Sequence, residues 1–454
     1  MAGIARTLAV LALGAAFAFP LAGCSTTDSE DTAGPGLPNL TDLNPFATAK
    51  VPLPGKRVAV LTAEDQLNGR MEGATGSISI PPQSQMAEWA TPGGAAGNAP
   101  GHLALTGSMR TIWTAEAGTG SSALAKLTAP PIVLQGRIYV FDAASHVSAY
   151  AAAGGARAWG VSAAPEGVNE SKAFGGGIAA EGGRIFAVTG FGTVVALDAG
   201  TGARLWEKKF GSPFHSAPTV ADGRLIATNI DGQVLCLSTG DGSTIWTYHG
   251  VPQQAAALLT GTRPAISGGV VVVPFTSGDI AALKVDSGAQ LWTDSLSGAH
   301  ANATIAALSD PASPVIVGGS VYGVSRSGRL IASNGATGAR IWAMNLNGVE
   351  TPWVAGDGIY VVDLSGRLVA LNRANGEVRW AAKLPGNAKV WSGPVLAGGK
   401  LWLTSSKGAL VGVDPMTGQA TAQRDLGQPV YLAPVVADGK MYVLTDHASL
   451  MAIE

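Results

Sequence analysis

The chain from about Pro130 to Glu454 repeats one pattern that ends in a tryptophan. In the clearest copies one glycine lies fourteen residues before the tryptophan and another lies four residues before it. These copies are Gly183–Trp206, Gly223–Trp246, Gly269–Trp292 and Gly319–Trp342, while Gly358–Trp380, Gly136–Trp159 and Gly399–Ala422 fit more loosely. The copies return about every 40 to 50 residues and show no helical periodicity, which is typical of a β-propeller.

Each repeat has the composition of short antiparallel strands. Segments such as Arg184–Thr189 and Thr193–Asp198 are rich in Val, Ile and Leu, the residues that favour strands. Glycine and Asp-Gly pairs separate these segments where hairpins need a positive φ. One four-stranded unit cannot bury both of its faces alone, so neighbouring units must stack around an axis. We expect the tryptophans to fill the gaps between blades, each burying roughly 150–250 Å².

Counting the copies predicts how the ring closes. The chain holds eight copies, and the last, which begins at Gly439, ends at Glu454 before it reaches a tryptophan. An unmatched Arg110–Trp113 lies upstream of the first copy and resembles the Ala203–Trp206 ending. We therefore predict an all-β fold, an eight-bladed β-propeller of four-stranded antiparallel blades closed by an N-terminal strand. The propeller is expected to span residues 113–454, with residues 51–112 as an extension packed against it.

The N-terminus carries a targeting signal. Arg6 precedes an apolar stretch, Thr7–Phe19, that is too short to span a bilayer, which indicates a signal peptide over residues 1–23. The next residues, Leu21–Cys24, resemble the bacterial lipobox, which implies cleavage before Cys24 and lipid attachment to its thiol. Residues 24–50 are rich in Ser, Thr, Asp, Gly and Pro and are predicted to form a disordered tether. The residue after Cys24, Ser25, is unlike the Asp that retains many such lipoproteins in the inner membrane, so the resemblance implies localisation at the periplasmic face of the outer membrane.

The remaining composition excludes several functional classes. The formal net charge is -2 and no run of Lys or Arg occurs, so the basic stripe expected of a nucleic-acid-binding protein is missing. The six histidines are scattered without metal-ligand spacing, and no G-x-S-x-G nucleophile motif occurs. Cys236 lies inside a predicted strand and is interpreted as a small buried residue. We predict no catalytic residue, no metal site and no cofactor.

Two family resemblances refine these expectations. The repeat ending Ala196–Trp206 is similar to that of quinoprotein alcohol dehydrogenases, which bind pyrroloquinoline quinone on a vicinal disulfide beside calcium-bound carboxylates. This chain has no adjacent cysteines. The lipobox, the tether, Glu88–Gly94, Gly101–Leu105 and the eight repeats together resemble the propeller lipoprotein family of the bacterial outer-membrane β-barrel assembly machinery.

The second resemblance implies a partner and a binding surface. In that family two neighbouring loops grip the periplasmic domains of the central barrel subunit, and the corresponding stretches here are Ala255–Thr262 and Ala306–Pro314. The resemblance implies partner binding for Leu258 and Asp310, which match the family pattern. Leu259, the second residue of the apolar pair, is also expected to bind the partner, although it stands where the family has arginine. Ala312 stands where the family has a second acidic residue.

Three functions remain open from the sequence. The favoured one is a non-enzymatic scaffold that assists the folding and insertion of outer-membrane proteins, with client strands as a further partner if exposed blade edges accept them by strand addition. The second is a quinone-dependent periplasmic dehydrogenase. The third is a lipoprotein propeller that serves another envelope complex.

Overall fold

The structure, a computed structural model, describes residues 77–172, 175–250, 262–297 and 311–454. Within these ranges the chain forms 32 β-strands and one short 3-10 helix, Glu170–Lys172. The strands make eight four-stranded sheets whose paired strands are antiparallel. The predicted eight-bladed all-β propeller is confirmed.

The first strand, β1 (Thr111–Glu116), precedes the four blades that form the first half of the ring. Blade 1 consists of β2 (Ile132–Leu134), β3 (Arg137–Phe141), β4 (His146–Ala151) and β5 (Arg157–Ser162). Blade 2 consists of β6 (Gly176–Glu181), β7 (Arg184–Thr189), β8 (Thr193–Asp198) and β9 (Arg204–Lys209). Blade 3 consists of β10 (Thr219–Ala221), β11 (Arg224–Thr228), β12 (Gln233–Ser238) and β13 (Thr244–His249). Blade 4 consists of β14 (Ala265–Ser267), β15 (Val270–Pro274), β16 (Asp279–Lys284) and β17 (Gln290–Ser295).

The second half of the ring continues the same order. Blade 5 consists of β18 (Val315–Val317), β19 (Ser320–Val324), β20 (Leu330–Asn334) and β21 (Arg340–Met344). Blade 6 consists of β22 (Trp353–Ala355), β23 (Gly358–Val362), β24 (Arg367–Asn372) and β25 (Val378–Lys383). Blade 7 consists of β26 (Trp391–Ala397), β27 (Lys400–Ser405), β28 (Ala409–Val413) and β29 (Ala420–Asp425). Blade 8 contains β30 (Val435–Ala437), β31 (Lys440–Leu444) and β32 (Ser449–Ile453).

Blade 8 is completed by the N-terminal strand. Its sheet has the order β1-β32-β31-β30, so β1 is the outer strand. Trp113 pairs with Ala452 in the register of this pairing. Beyond the strand ends, Arg110 and Glu454 exchange two backbone hydrogen bonds of 2.8 and 2.9 Å. The predicted closure by an N-terminal strand is therefore confirmed.

One cross-strand row recurs in the blades. A large residue on the second strand pairs with a small residue on the third, which pairs with tryptophan on the outer strand. In blade 2 the row is Phe186, Ala196 and Trp206. In blade 3 the small residue is Cys236, paired with Ile226 and Trp246. Cys236 is fully buried, and burial raises the pKa of its thiol to about 12, consistent with the predicted structural role.

The tryptophans of the outer strands join consecutive blades. Trp159 of blade 1 lies against Gly202 of blade 2, where an added Cβ would come within 2.7 Å of the indole. Its Nε1 donates to the carbonyl oxygen of Ala199 in the same turn, at 3.1 Å. The same two contacts, with a glycine and with a carbonyl oxygen of the next blade, are made by Trp113, Trp206, Trp246, Trp292, Trp342 and Trp380. The glycine four residues before the next tryptophan, or before Ala422 in blade 7, thus leaves room for the indole of the preceding blade.

Residues 84–106, here called the axial segment, run along the first strands of the blades. Trp89 and Val133 of β2 exchange two backbone hydrogen bonds of 2.8 and 2.9 Å. Further backbone bonds of 2.7 to 3.0 Å link the segment to blades 2, 4, 5 and 7, through the pairs Ala180–Ala90, Ile266–Ala96, Ile316–Gly97 and Leu103–Leu396. Each bonded blade residue lies just before the turn from first to second strand, so the axial segment closes that end of the ring.

Candidate functional site

The residues predicted to bind a partner fall outside the described part of the chain. Leu258 and Leu259 lie within residues 251–261, and Asp310 lies within residues 298–310. Cys24, the predicted lipidation site, is also outside it. Residues 251–261 lie in the connection from β13 to β14, and residues 298–310 lie in the connection from β17 to β18. The ends of both connections belong to the described residues and lie in neighbouring blades.

The ends of the two connections are hydrogen-bonded to each other. The backbone N–H of Arg263 donates to Oγ of Ser313 at 3.0 Å. The Arg263 side is tied to blade 3 as well, because the Thr219 hydroxyl donates to the Pro264 carbonyl oxygen at 2.6 Å. The Ser313 side is held by a backbone bond of 2.8 Å from Ala312 to Val324. Both connections therefore enter their blades at adjacent, fixed points on one rim of the ring.

A cavity of about 730 Å³ lies between this rim and the axial segment. Trp89, Pro92, Gly93 and Asn98 of the axial segment line it together with residues that precede the first strands of blades 1, 4, 5, 6, 7 and 8. Its wall carries three basic side chains, Lys126, Arg263 and Arg326, and two acidic ones, Glu350 and Asp446. The sequence interpretation did not predict this cavity.

Arg263 is the most deeply buried charge in the cavity wall, with only 8% of its surface exposed. Its Nε donates to Oδ1 of Asn98 at 3.0 Å, and Nδ2 of Asn98 donates to the Pro314 carbonyl oxygen at 2.8 Å. Gly93 makes room for both side chains, since an added Cβ there would clash with the Asn98 amide and the Arg263 guanidinium. Burial lowers the pKa of Arg263 to about 10, an effect that the charge of Glu350 opposes.

Glu350 is the acidic counterpart in the same cavity. It is half-buried, and its accessible surface belongs to the cavity wall. Burial raises the pKa of Glu350 to about 7, although bonds from Gly393 and Ser392 and the charge of Arg263 oppose the rise. Those bonds are long, 3.3 Å from the Gly393 N–H and 3.5 Å from the Ser392 hydroxyl. The carboxylate is therefore only weakly compensated for its loss of water.

A signal for both residues exists in the repeat. The position directly before the first-strand proline or its equivalent is occupied by Arg263 in one copy and by uncharged residues in the other seven, namely Pro130, Gly177, Ala217, Ser313, Thr351, Gly393 and Ala433. One residue earlier, Glu350 is likewise the only charged residue at its position. A charge at a repeat position that otherwise holds small or apolar residues points to a local role beyond folding.

Among the described residues, no group of three or more His, Cys, Asp or Glu side chains is placed to hold a metal ion. No helix in the same ranges is long and apolar enough to cross a membrane.

Comparison with known proteins identifies the family. The family described as "Outer membrane protein assembly factor BamB" matches residues 143–382 and 366–454, which is more than half of the chain. The chain belongs to this family. The BamB assignment confirms the resemblance on which the partner and docking hypotheses rest. No curated protein matches the chain in sequence.

Solved structures agree with the BamB fold. The crystal structure of BamB from Moraxella catarrhalis aligns with a TM-score of 0.66 and 21% identity, covering 76% of this chain and all (100%) of that one. The quinohemoprotein alcohol dehydrogenase ADHIIG from Pseudomonas putida HK5 aligns with a TM-score of 0.62 and 14% identity, covering 82% of this chain and 80% of that one. A europium-containing methanol dehydrogenase has a TM-score of 0.61, 17% identity and coverages of 79% and 89%. At identities this low, the structural alignments show the fold alone, and this chain shares that fold with both BamB and the dehydrogenases.

Proposed function

We propose that this protein is a non-enzymatic scaffold lipoprotein of the outer-membrane β-barrel assembly machinery. It is held at the periplasmic face of the outer membrane by lipid on Cys24 and docks on the periplasmic domains of the central barrel subunit. There it assists the folding and insertion of outer-membrane proteins. The observation that carries the proposal is the BamB family match over most of the propeller.

The docking surface is formed by Ala255–Thr262 and Ala306–Pro314, which belong to the connections from β13 to β14 and from β17 to β18. The hydrogen bond between Arg263 N–H and Ser313 Oγ supports it, because it holds the ends of the two connections side by side. Leu258 and Leu259 then supply apolar area to the interface, and Asp310 pairs with a basic group or a backbone N–H of the partner. Truncating an interface anchor of this kind often weakens the binding free energy by about 2 kcal/mol or more, which corresponds to a loss of roughly thirtyfold in affinity.

Co-purification with the central barrel subunit from envelope extracts tests the surface. Leu258→Asp is expected to abolish capture, and Asp310→Ala to weaken it less. Ile341→Asp is the matched control, because Ile341 is 50% exposed on the outer strand β21 and is expected to leave capture unchanged. Circular dichroism confirms that each variant is folded. Full capture by a folded Leu258→Asp/Asp310→Arg variant would place the interface elsewhere.

The alternative function is that of a quinone-dependent dehydrogenase, because such enzymes share the fold. The residues of this chain do not fit pyrroloquinoline quinone as quinoprotein alcohol dehydrogenases bind it. The two cysteines, Cys24 and Cys236, are far apart in the sequence and cannot form a vicinal disulfide, and the described side chains offer no acidic cluster for calcium. Adding pyrroloquinoline quinone and calcium to the purified protein tests this alternative, which requires a bound chromophore and reduction of an acceptor dye.

A further inference from the structure

We propose that the cavity between the rim and the axial segment is a binding site for a molecule that ends in a carboxylate and carries an apolar group beside it. This inference goes beyond the scaffold function, because the cavity is separate from the side chains proposed for docking. It stands on the geometry of Arg263, on the polarity of the cavity wall and on the apolar residues at the cavity mouth.

Arg263 presents unused hydrogen-bond donors to the cavity. A guanidinium carries five N–H donors, and the Nε donor is occupied by Asn98. In the part of the chain that the structure describes, the guanidinium makes this hydrogen bond through Nε, and its two terminal nitrogens make none. Buried charged groups are normally paired with a bonded partner. Arg263 is 8% exposed and interacts with the charge of Glu350 without a hydrogen bond to it, which leaves its terminal nitrogens open to a ligand.

The shape of the donor set selects a carboxylate. The two terminal nitrogens of arginine form a planar fork that matches the two oxygens of a carboxylate in a bidentate pair. Asn98 fixes the fork from below by accepting from Nε, and the Pro314 carbonyl oxygen fixes Asn98 in turn. A binding group held in this way loses little entropy when the ligand arrives.

The charges of the wall favour an anion as well. Lys126 adds a further positive group, against Glu350 and Asp446. Burial raises the pKa of Glu350 to about 7, so near neutral pH this carboxyl is partly protonated. When Glu350 is protonated it does not repel a bound carboxylate, and Lys126 and Arg263 together outnumber Asp446.

Apolar side chains surround the mouth on the side of blades 7 and 8. Val390 and Tyr431 line the cavity and are 41% and 45% exposed. Leu432 and Val395 lie in the same wall. A cavity of about 730 Å³ falls in the usual range for small-ligand sites, about 300–1,000 Å³. Apolar walls with a few convergent polar groups are the usual composition of such sites.

The ligand can be a free small carboxylate or the C-terminus of an extended peptide, because both present the same chemistry. Calorimetric titration of the purified full-length protein separates them with two matched pairs of probes. The first pair is 3-phenylpropionate and its amide. The second pair is the peptide acetyl-Gly-Gly-Ala-Leu with a free C-terminus and with an amidated one. In at least one pair the free acid should bind at least tenfold more tightly than the amide.

Substitutions assign the binding to the cavity. Arg263→Met is expected to lower the affinity for the free acid at least tenfold and to leave the amide unchanged, whereas Glu350→Gln should tighten acid binding at pH 8. Ser108→Ala, at an exposed position outside the cavity wall, is the control and should change neither. If Arg263→Met does not fold, the Glu350→Gln result still decides. Equal affinity for acid and amide, absence of binding in both pairs, or an acid affinity insensitive to both cavity variants would overturn the proposal.

Discussion

In blade 7, the indole of Trp402 lies against Gly412, its cross-strand partner on β28. This row differs from the one in the other blades. The indole lies on the second strand, where the other blades carry Tyr, Phe, Ile or Val, and the outer strand carries Ala422 where the other outer strands of the described propeller carry tryptophan. A Cβ on Gly412 would come within 2.9 Å of the Trp402 ring. Glycine is therefore required here by the indole on the second strand.

This difference coincides with the closure of the ring. In the other blades a turn from the third to the outer strand receives the tryptophan of the preceding blade, but in blade 8 no such turn joins β32 to its outer strand, because that strand is β1 from the N-terminal side of the ring. Arg424 occupies this junction instead. Its guanidinium donates to the Met109 carbonyl oxygen and to Oγ1 of Thr111, both at 2.6 Å. A side chain of blade 7 thus holds the closing strand of blade 8.

Gly412→Ala should destabilise the propeller by about 1–3 kcal/mol, because the added methyl group overpacks a buried aromatic contact. Thermal unfolding of the purified protein measures the effect. Gly154→Ala is the control, since a Cβ there meets nothing within 4 Å. Combining Gly412→Ala with Trp402→Leu should cost less than the sum of the two single changes, and strict additivity would show that the two residues do not interact.

The closing strand predicts a difference between two truncations. Deleting residues 25–113 removes the axial segment together with Thr111, Ile112 and Trp113 of β1 and should lower the melting temperature of the whole propeller. Deleting residues 25–50 alone is expected to leave it nearly unchanged, since the disordered tether predicted there would contribute little to folding. Equal melting temperatures for the two truncated proteins would contradict a structural role for the closing strand.

Much of the fold follows from the sequence because its signals repeat. The glycine and tryptophan spacing predicts the blades, and the unmatched Arg110–Trp113 predicts the closing strand. The path of the axial segment has no such signal, because it binds the blades mainly through backbone groups, as Trp89 does with Val133. Arg263 and Glu350 interrupt their repeat positions with charge, but the sequence alone does not indicate that they share a cavity. The docking residues rest on family resemblance.

The lipid anchor is tested by Cys24→Ala. Without the thiol no lipid is attached, and the variant should move from the membrane fraction to the soluble fraction of the periplasm. Membranes are washed at high salt, because binding to a membrane-bound partner complex would otherwise retain the variant. Immunoblotting of the washed pellet measures the change, with the unaltered protein as the control. Complete recovery of Cys24→Ala in the washed pellet would contradict anchoring by lipid alone.

Glu350 should make the stability of the propeller depend on pH. Its pKa in the folded protein is raised to about 7 from an ordinary value of 4.5, so the folded state binds a proton more tightly than the unfolded state does. Stability is therefore greatest below about pH 4.5 as far as this group is concerned, falls as pH rises toward 7, and is lowest above that. The charged groups in the same wall are Lys126, Arg263, Arg326 and Asp446, and Arg263 limits the effect.

Glu350→Gln removes the titrating group and keeps most of its shape. Urea unfolding should show the variant to be more stable than the unaltered protein at pH 8, by on the order of 1–3 kcal/mol. At pH 5 the two proteins should differ much less, because Glu350 is then protonated in the folded state. Glu377→Gln is the matched control, since the side chain of Glu377 is 62% exposed and its loss should change stability little at either pH. A Glu350→Gln effect of equal size at both pH values would show that the carboxyl does not titrate in this range.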